Sequence, residues 1–185
     1  MDTLADRILD AALDRATIVG WPNLRLHDVA GEVGIPLPDL FACFRDADAI
    51  ADAYFARLLA RMLAPPENPA EFVLAGARER AEAVLLRWFQ AAAERRKVTL
   101  EMLAVKAWPS HPHTWVPMVF NLSRLILWVR EAARLDRGGV ARMAEEVGLT
   151  KTFLAGLAAF ALDRSEDLAG TRRAVRSALR FVPLG

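Results

Sequence analysis

The sequence predicts an all-α protein, and three observations carry that prediction. Long stretches are built from Ala, Leu, Arg and Glu, while strand-favouring Thr, Tyr and Ile are scarce, Tyr54 being the one tyrosine. Apolar residues recur at three- and four-residue spacing along most of the chain. Gly and Pro stand at the joints between those stretches. With 185 residues, 54% of them hydrophobic, the chain can bury a good core as one unit or as a small head on a larger body.

The first helix is predicted over residues 3–19. Leu4, Ile8, Leu9, Ala12, Leu13 and Ala16 make one apolar face, and Asp6, Asp10 and Asp14 line another, where like charges repel slightly. Gly20 ends this helix and Pro22 cannot continue it. Two short helices follow. Leu26, Val29, Ala30 and Val33 form the first periodic run, Gly34 breaks it, and Leu40, Phe41 and Phe44 form the second. Two helices joined by a short Gly-containing turn make a helix-turn-helix, whose second helix can enter the DNA major groove. A longer helix over residues 47–63 carries Ile50, Tyr54, Leu58 and Met62 along one side, with Asp46 placed as its N-cap.

Ala64-Pro65-Pro66-Glu67-Asn68-Pro69 reads as a linker and a domain boundary, because three prolines in five residues forbid a helix. Residues 70–97 read as one long helix burying Phe72, Val73, Ala77, Val84, Leu85, Trp88 and Phe89. A segment over 98–108 is stopped by Pro109-Ser110-His111-Pro112, and residues 114–135 form a strongly apolar helix. Gly138-Gly139 punctuates, a short helix runs to residue 147, and Gly148 stops it. The last two helices are predicted over 149–162 and 168–181.

Composition excludes several classes. A net charge of +1 does not suggest a polyanionic partner. Cys43 is the one cysteine, which excludes an intrachain disulfide and suits a reducing cytoplasm, the expected location. Asp2 and Asp6 precede any apolar run, so the N-terminus does not read as a signal peptide. The longest apolar runs, such as residues 125–129, fall far short of the ~20 residues of a membrane span, so no stable membrane insertion is expected. His111-Pro112-His113 has no third ligand at a convincing spacing and reads as a surface loop, so no metal is expected. A nucleophile elbow, a phosphate loop and a paired-carboxylate arrangement are all missing from the sequence, so neither an enzyme nor a cofactor is expected.

Gly20 and Trp21, Asp28-Val29-Ala30, Gly34-Ile35, Leu40-Phe41 and Phe44 together resemble the N-terminal domain of the TetR family of ligand-responsive repressors. The resemblance implies a DNA-binding head over residues 1–46, a connecting helix over 47–64, and a ligand-binding and dimerisation body over 65–185. It implies a homodimer whose two C-terminal helices pair through Phe153, Leu157, Phe160, Val175 and Leu179; read without the resemblance, both stripes fit the protomer's own core. It also implies double-stranded DNA as partner, with Arg25, His27, Leu37, Asp39, Phe41 and Arg45 as the contact residues. Arg25, His27 and Arg45, near the turn and helix ends, suit phosphate contacts. Recognition helices of this family usually open with a hydroxyl residue and a Lys or Arg. Here Pro36, Leu37, Pro38 and Asp39 stand there, and none donates a charge-assisted bond to phosphate. Over residues 1–46, four arginines against eight carboxylates leave a net charge of −4, without a lysine.

Trp88, Phe89, Met102, Trp108, Trp115, Met118, Phe120, Arg124 and Trp128 lie where the family holds a small lipophilic effector; taken singly, each Trp fits a filled helical core better. A looser resemblance links Gly20-Trp21, Leu149-Thr150-Lys151 and Asp163-Arg164-Ser165-Glu166-Asp167 to lipid-binding accessory proteins of ubiquinone biosynthesis, which share the fold without binding DNA. The amphipathic C-terminal helix of those proteins has no counterpart before Gly185.

Overall fold

The computed structural model describes residues 3–108 and 112–184, and it is helical, as the composition predicts. The chain divides into two compact units: Met1–Leu58 with Glu94–Met118, and Leu59–Ala93 with Val119–Gly185.

In the first unit, α1 (Leu4–Val19) opens with a capping box. Thr3 Oγ1 accepts from the Asp6 amide at 3.1 Å, and Thr3 N donates back to the Asp6 carboxylate at 3.1 Å. Gly20, at φ 83°, ends α1 and leads into a 3-10 turn, Trp21–Asn23. Helices α2 (Leu26–Val33) and α3 (Leu37–Cys43) are separated by Gly34, whose left-handed φ of 74° explains the residue type. Ile35 N then bonds the Ala30 carbonyl at 3.0 Å, which turns the chain sharply into α3. Ile8, Leu9, Ala12 and Leu13 of α1 are buried, as are Val29 and Ala30 of α2 and Leu40 of α3. Asp46 caps α4 (Ala47–Met62), accepting from Ala49 N at 2.7 Å.

Helix α7 (Arg96–Lys106) also belongs to this unit, although residues 63–95 intervene after α4 (Ala47–Met62). Glu101 accepts from the Trp21 amide at 2.7 Å, and the Tyr54 and Thr99 hydroxyls meet at 2.7 Å. The buried Lys106 donates to Asp52 at 2.9 Å and to Asp48. A buried ammonium is tolerable only with such partners.

The second unit contains α5 (Pro69–Leu74), α6 (Ala77–Ala93), most of α8 (Pro112–Ala132), α9 (Gly139–Leu162) and α10 (Ala169–Leu179). The proline linker, residues 64–69, belongs to this unit. Its core is aromatic: Trp88 and Phe89 pack on Phe153, with ring centroids 4.9 and 5.4 Å apart, and Phe89 meets Phe160. The buried Arg130 and Glu145 pair at 3.0 Å and tie α8 to α9.

Three predicted element boundaries are corrected. The single helix over 70–97 is broken at Ala75-Gly76 and again at Glu94-Arg95. At the first break the Glu79 carboxylate takes the Gly76 amide at 2.9 Å and so caps a new helix. At the second, Arg95 leaves the helical conformation and its guanidinium holds Asp14 and Thr17. Gly148 does not stop a helix; α9 runs through it for 24 residues. A Cβ there would lie 2.7 Å from a Val182 methyl, and one at Gly156 would lie 2.8 Å from the Phe89 ring. Both glycines serve close packing within a helix.

Candidate nucleic-acid interface and effector region

Exposure separates α3 into two faces. Leu40 points into the core at 1% exposure, whereas Leu37 is 47% and Phe41 66% exposed, with Pro38, Asp39, Ala42 and Cys43 also outward. Arg25 is the N-cap residue of α2 and supplies no side-chain cap. His27 is exposed in the first turn of α2, its Nδ1 3.7 Å from Asp28, and exposed Arg45 follows α3, 3.3 Å from Asp46. Leu26, His27, Leu37, Pro38, Phe41 and Arg45 surround an open cleft of about 440 Å³, almost wholly apolar. The structure therefore brings His27, Leu37, Phe41 and Arg45 of the six expected contact residues around one cleft, with Asp39 on the same outward helix and Arg25 immediately before α2.

The acidic balance of residues 1–46 is compensated locally, which the charge count could not foresee. Arg57 of α4 binds Asp10 and, at 3.4 Å, Asp6. Arg95 binds Asp14. Arg15 spans Asp28 at 3.1 Å and Glu32 at 3.3 Å. Hydrogen bonds from Thr3 are the main reason the Asp6 carboxyl sits below its ordinary pKa. The row of like charges on α1 is thus matched by guanidinium groups from outside residues 1–46. These pairs are half exposed, so each adds little stability, but together they remove negative potential from the head. Arg7 donates to the Val33 carbonyl at 3.0 Å and steadies the C-terminus of α2.

The nine residues of the expected effector site belong to both units. Trp88 and Phe89 are buried in the aromatic core of the second unit, and Met102 is buried in the first. Trp108, Trp115 and Met118 fall in the first unit, the two tryptophans being exposed. Phe120, Arg124 and Trp128 lie along α8 in the second unit and are exposed, Arg124 donating to Asn121 at 3.3 Å. A second cleft, about 590 Å³, lies in the second unit between the proline loop, α6 and α10, with Phe72, Leu86, Arg87 and Arg176 in its wall. Neither cleft is lined by any of the nine. His111 lies outside the described residues, as do Pro109 and Ser110.

Of the residues expected at a dimer contact, Phe153, Phe160, Val175 and Leu179 face the core of their own unit, and Leu157 is half-buried. The outward face of α9 carries instead Val147, Lys151, Leu154, Ala158 and Leu162. The segment singled out for its likeness to lipid-binding proteins closes the α9–α10 turn. Asp163 accepts from Thr171 N at 2.7 Å and Thr171 Oγ1 at 2.9 Å, and from Ser165 N at 3.0 Å. The Ser165 hydroxyl leads these bonds in holding the Asp163 carboxyl far below the usual carboxylate range.

No family model matches the chain. None of the curated proteins matches it either. Among the described residues, no helix is long and apolar enough to cross a membrane. Solved structures do match. A bacterial regulatory protein of the tetR family from Rhodococcus RHA1 superposes with a TM-score of 0.57 over the full length of both chains, and its 16% identity speaks to the fold alone. The TetR transcriptional regulator from Nitrosomonas europaea ATCC 19718 superposes with a TM-score of 0.84 over 98% of each chain, at 33% identity. With a helix-turn-helix head, an all-helical body and that degree of likeness across nearly the whole length, the chain belongs to the TetR family of transcriptional regulators.

Proposed function

We propose that the protein is a homodimeric, DNA-binding repressor released by a small lipophilic effector. The observation that carries this reading is the surface around α3. It is an outward helix following a tight turn, with His27 and Arg45 beside it and Arg25 immediately before α2, while most of the head's carboxylates are bound elsewhere by Arg15, Arg57 and Arg95. That arrangement supports phosphate contact despite the acidic composition. The exposed apolar stripe of α9 supports an isologous dimer. Phe120 and Trp128, with Arg124 between them on α8, are accessible members of the effector set within one unit and suit an apolar ligand with a small polar group. Release requires the effector to bind two arrangements of the heads with different affinity.

The test is direct. Purified protein is incubated with sheared genomic fragments from its source at low salt, and the retained DNA is sequenced. A small set of pseudo-palindromic sites, lost as salt rises, is the expected outcome. Absence of enrichment from folded, dimeric protein would sink the reading.

A further inference from the structure

The chemistry of α3 limits what it can read. In the major groove, purines present the acceptors N7 and, on guanine, O6, which call for donors; adenine adds an N6 amino donor. Pyrimidines present the thymine methyl and O4, or the cytosine N4 amino donor. The outward side chains of α3 are Leu37, Pro38, Asp39, Phe41, Ala42 and Cys43. Among them no nitrogen or hydroxyl donor exists, and the Cys43 thiol is a weak one. What they offer is hydrocarbon, from Leu37, Phe41 and Ala42, and a single strong acceptor, the Asp39 carboxylate.

Resting on the regulator reading above, we propose that this helix reads its half-site mainly on the pyrimidine strand, through thymine methyl groups packed against Leu37 and Phe41 and a cytosine amino group donating to Asp39. The open cleft of about 440 Å³ lined by Leu37 and Phe41 gives a methyl group an apolar seat. Its margin carries the cationic Arg45 and the hydrogen-bonding His27, which complement the phosphates flanking the bases it would hold. Asp39 acts also by exclusion. Opposite a guanine face or a thymine O4 it meets acceptors and is repelled, so those two bases are penalised as well as cytosine rewarded. Exposed apolar area on this helix thereby has a partner of defined chemistry.

The experiment uses the full-length protein and the duplex recovered from its genome. Each thymine is replaced in turn by deoxyuridine, which lacks only the methyl, and in a parallel series each purine by its 7-deaza analogue, which lacks the N7 acceptor. Affinity is read by fluorescence anisotropy at one fixed low salt. At the contacted positions, loss of a methyl is expected to weaken binding about fourfold, and the deaza series is expected to bind as the parent does. Phe41→Ala should bind the thymine and uracil duplexes alike at the position it contacts. Leu37→Ala should do so at a different position, and Asp39→Asn should relax the preference for one cytosine. Indifference to uracil combined with loss in the deaza series would overturn the inference and leave the regulator reading standing. A folded protein that retains no duplex at all would overturn both. Association of the protein through this face, abolished by Phe41→Ser, would show the cleft to be covered by a second copy and would likewise overturn the inference.

Discussion

Asp163 shows how one carboxylate can organise a joint. Leu168, in the left-handed conformation, occupies the N-cap position of α10 and offers no capping oxygen, so the amides of the first turn must find acceptors elsewhere. Asp163 takes the Thr171 amide, and Ser165 Oγ takes that of Ala169 at 2.8 Å. Asp163→Ala should cost about 1–2 kcal/mol in urea unfolding, the usual range for a lost cap. The pH dependence has a definite sign. A carboxyl whose folded pKa is depressed contributes stability in full above its unfolded value of about 3.9, and that contribution is lost as pH falls through the lower folded value. The acid limb of the unfolding midpoint, followed below about pH 4, should therefore be flatter in Asp163→Asn than in the parent. At this scale the sequence was partly legible. The Thr3 and Asp46 caps lie in the residue types, whereas a cap supplied across a turn by Asp163 has no fixed spacing to betray it.

Among the elements, α9 carries the plainest lesson in packing. Gly148 and Gly156 are spaced to fall on one face, and α10 with the segment after it approaches closely there. A β-carbon at position 156 would lie 2.8 Å from Phe89 and 2.9 Å from Val175, both buried. Gly156→Ala should destabilise by about 1–3 kcal/mol through overpacking, although alanine is the better helix former. The measurement is the denaturant midpoint, and a stabilised variant would show that the helix can shift to make room. This is also why Gly148 misleads as a stop: glycine at a helix end and glycine under a crowded helix look alike until the neighbours are known. The short turn at Gly34 was legible, because a left-handed residue between two apolar-periodic runs leaves a local signature. The breaks at Ala75-Gly76 and Glu94-Arg95 were not, since they depend on Glu79 reaching back and on Arg95 reaching Asp14.

For the whole molecule, two properties follow from what lies on the surface. The outward stripe of α9 includes Leu154 and Leu162, the latter 83% exposed, which a lone protomer would leave in water. Leu154→Glu should shift sedimentation at micromolar concentration from dimer toward monomer, with the helical circular dichroism unchanged. The second property is electrostatic. Two exposed arginines per head, Arg25 immediately before α2 and Arg45 just after α3, mean that a dimer would neutralise about four phosphates. The logarithm of the binding constant should then fall with the logarithm of salt at a slope of about −4. A slope twice as steep would mean that cations elsewhere on the chain reach the backbone. Inward and outward helix faces were readable from periodicity, but that the Phe153 stripe is covered by its own unit was not. Phe153 and Leu154 differ by one position, and only the surrounding elements decide between them.

The ion pairs of α1 bear on whether this head can be transplanted. Residues 1–46 contain the whole helix-turn-helix, yet Arg57, Arg95 and Glu101, which bind Asp6, Asp10, Asp14 and the Trp21 amide, all lie beyond them. A chimera receiving residues 1–46 alone would inherit the shape of the reader and the net charge of −4, but not the groups that neutralise it. The portable module is a discontinuous one, two stretches of sequence that must travel together.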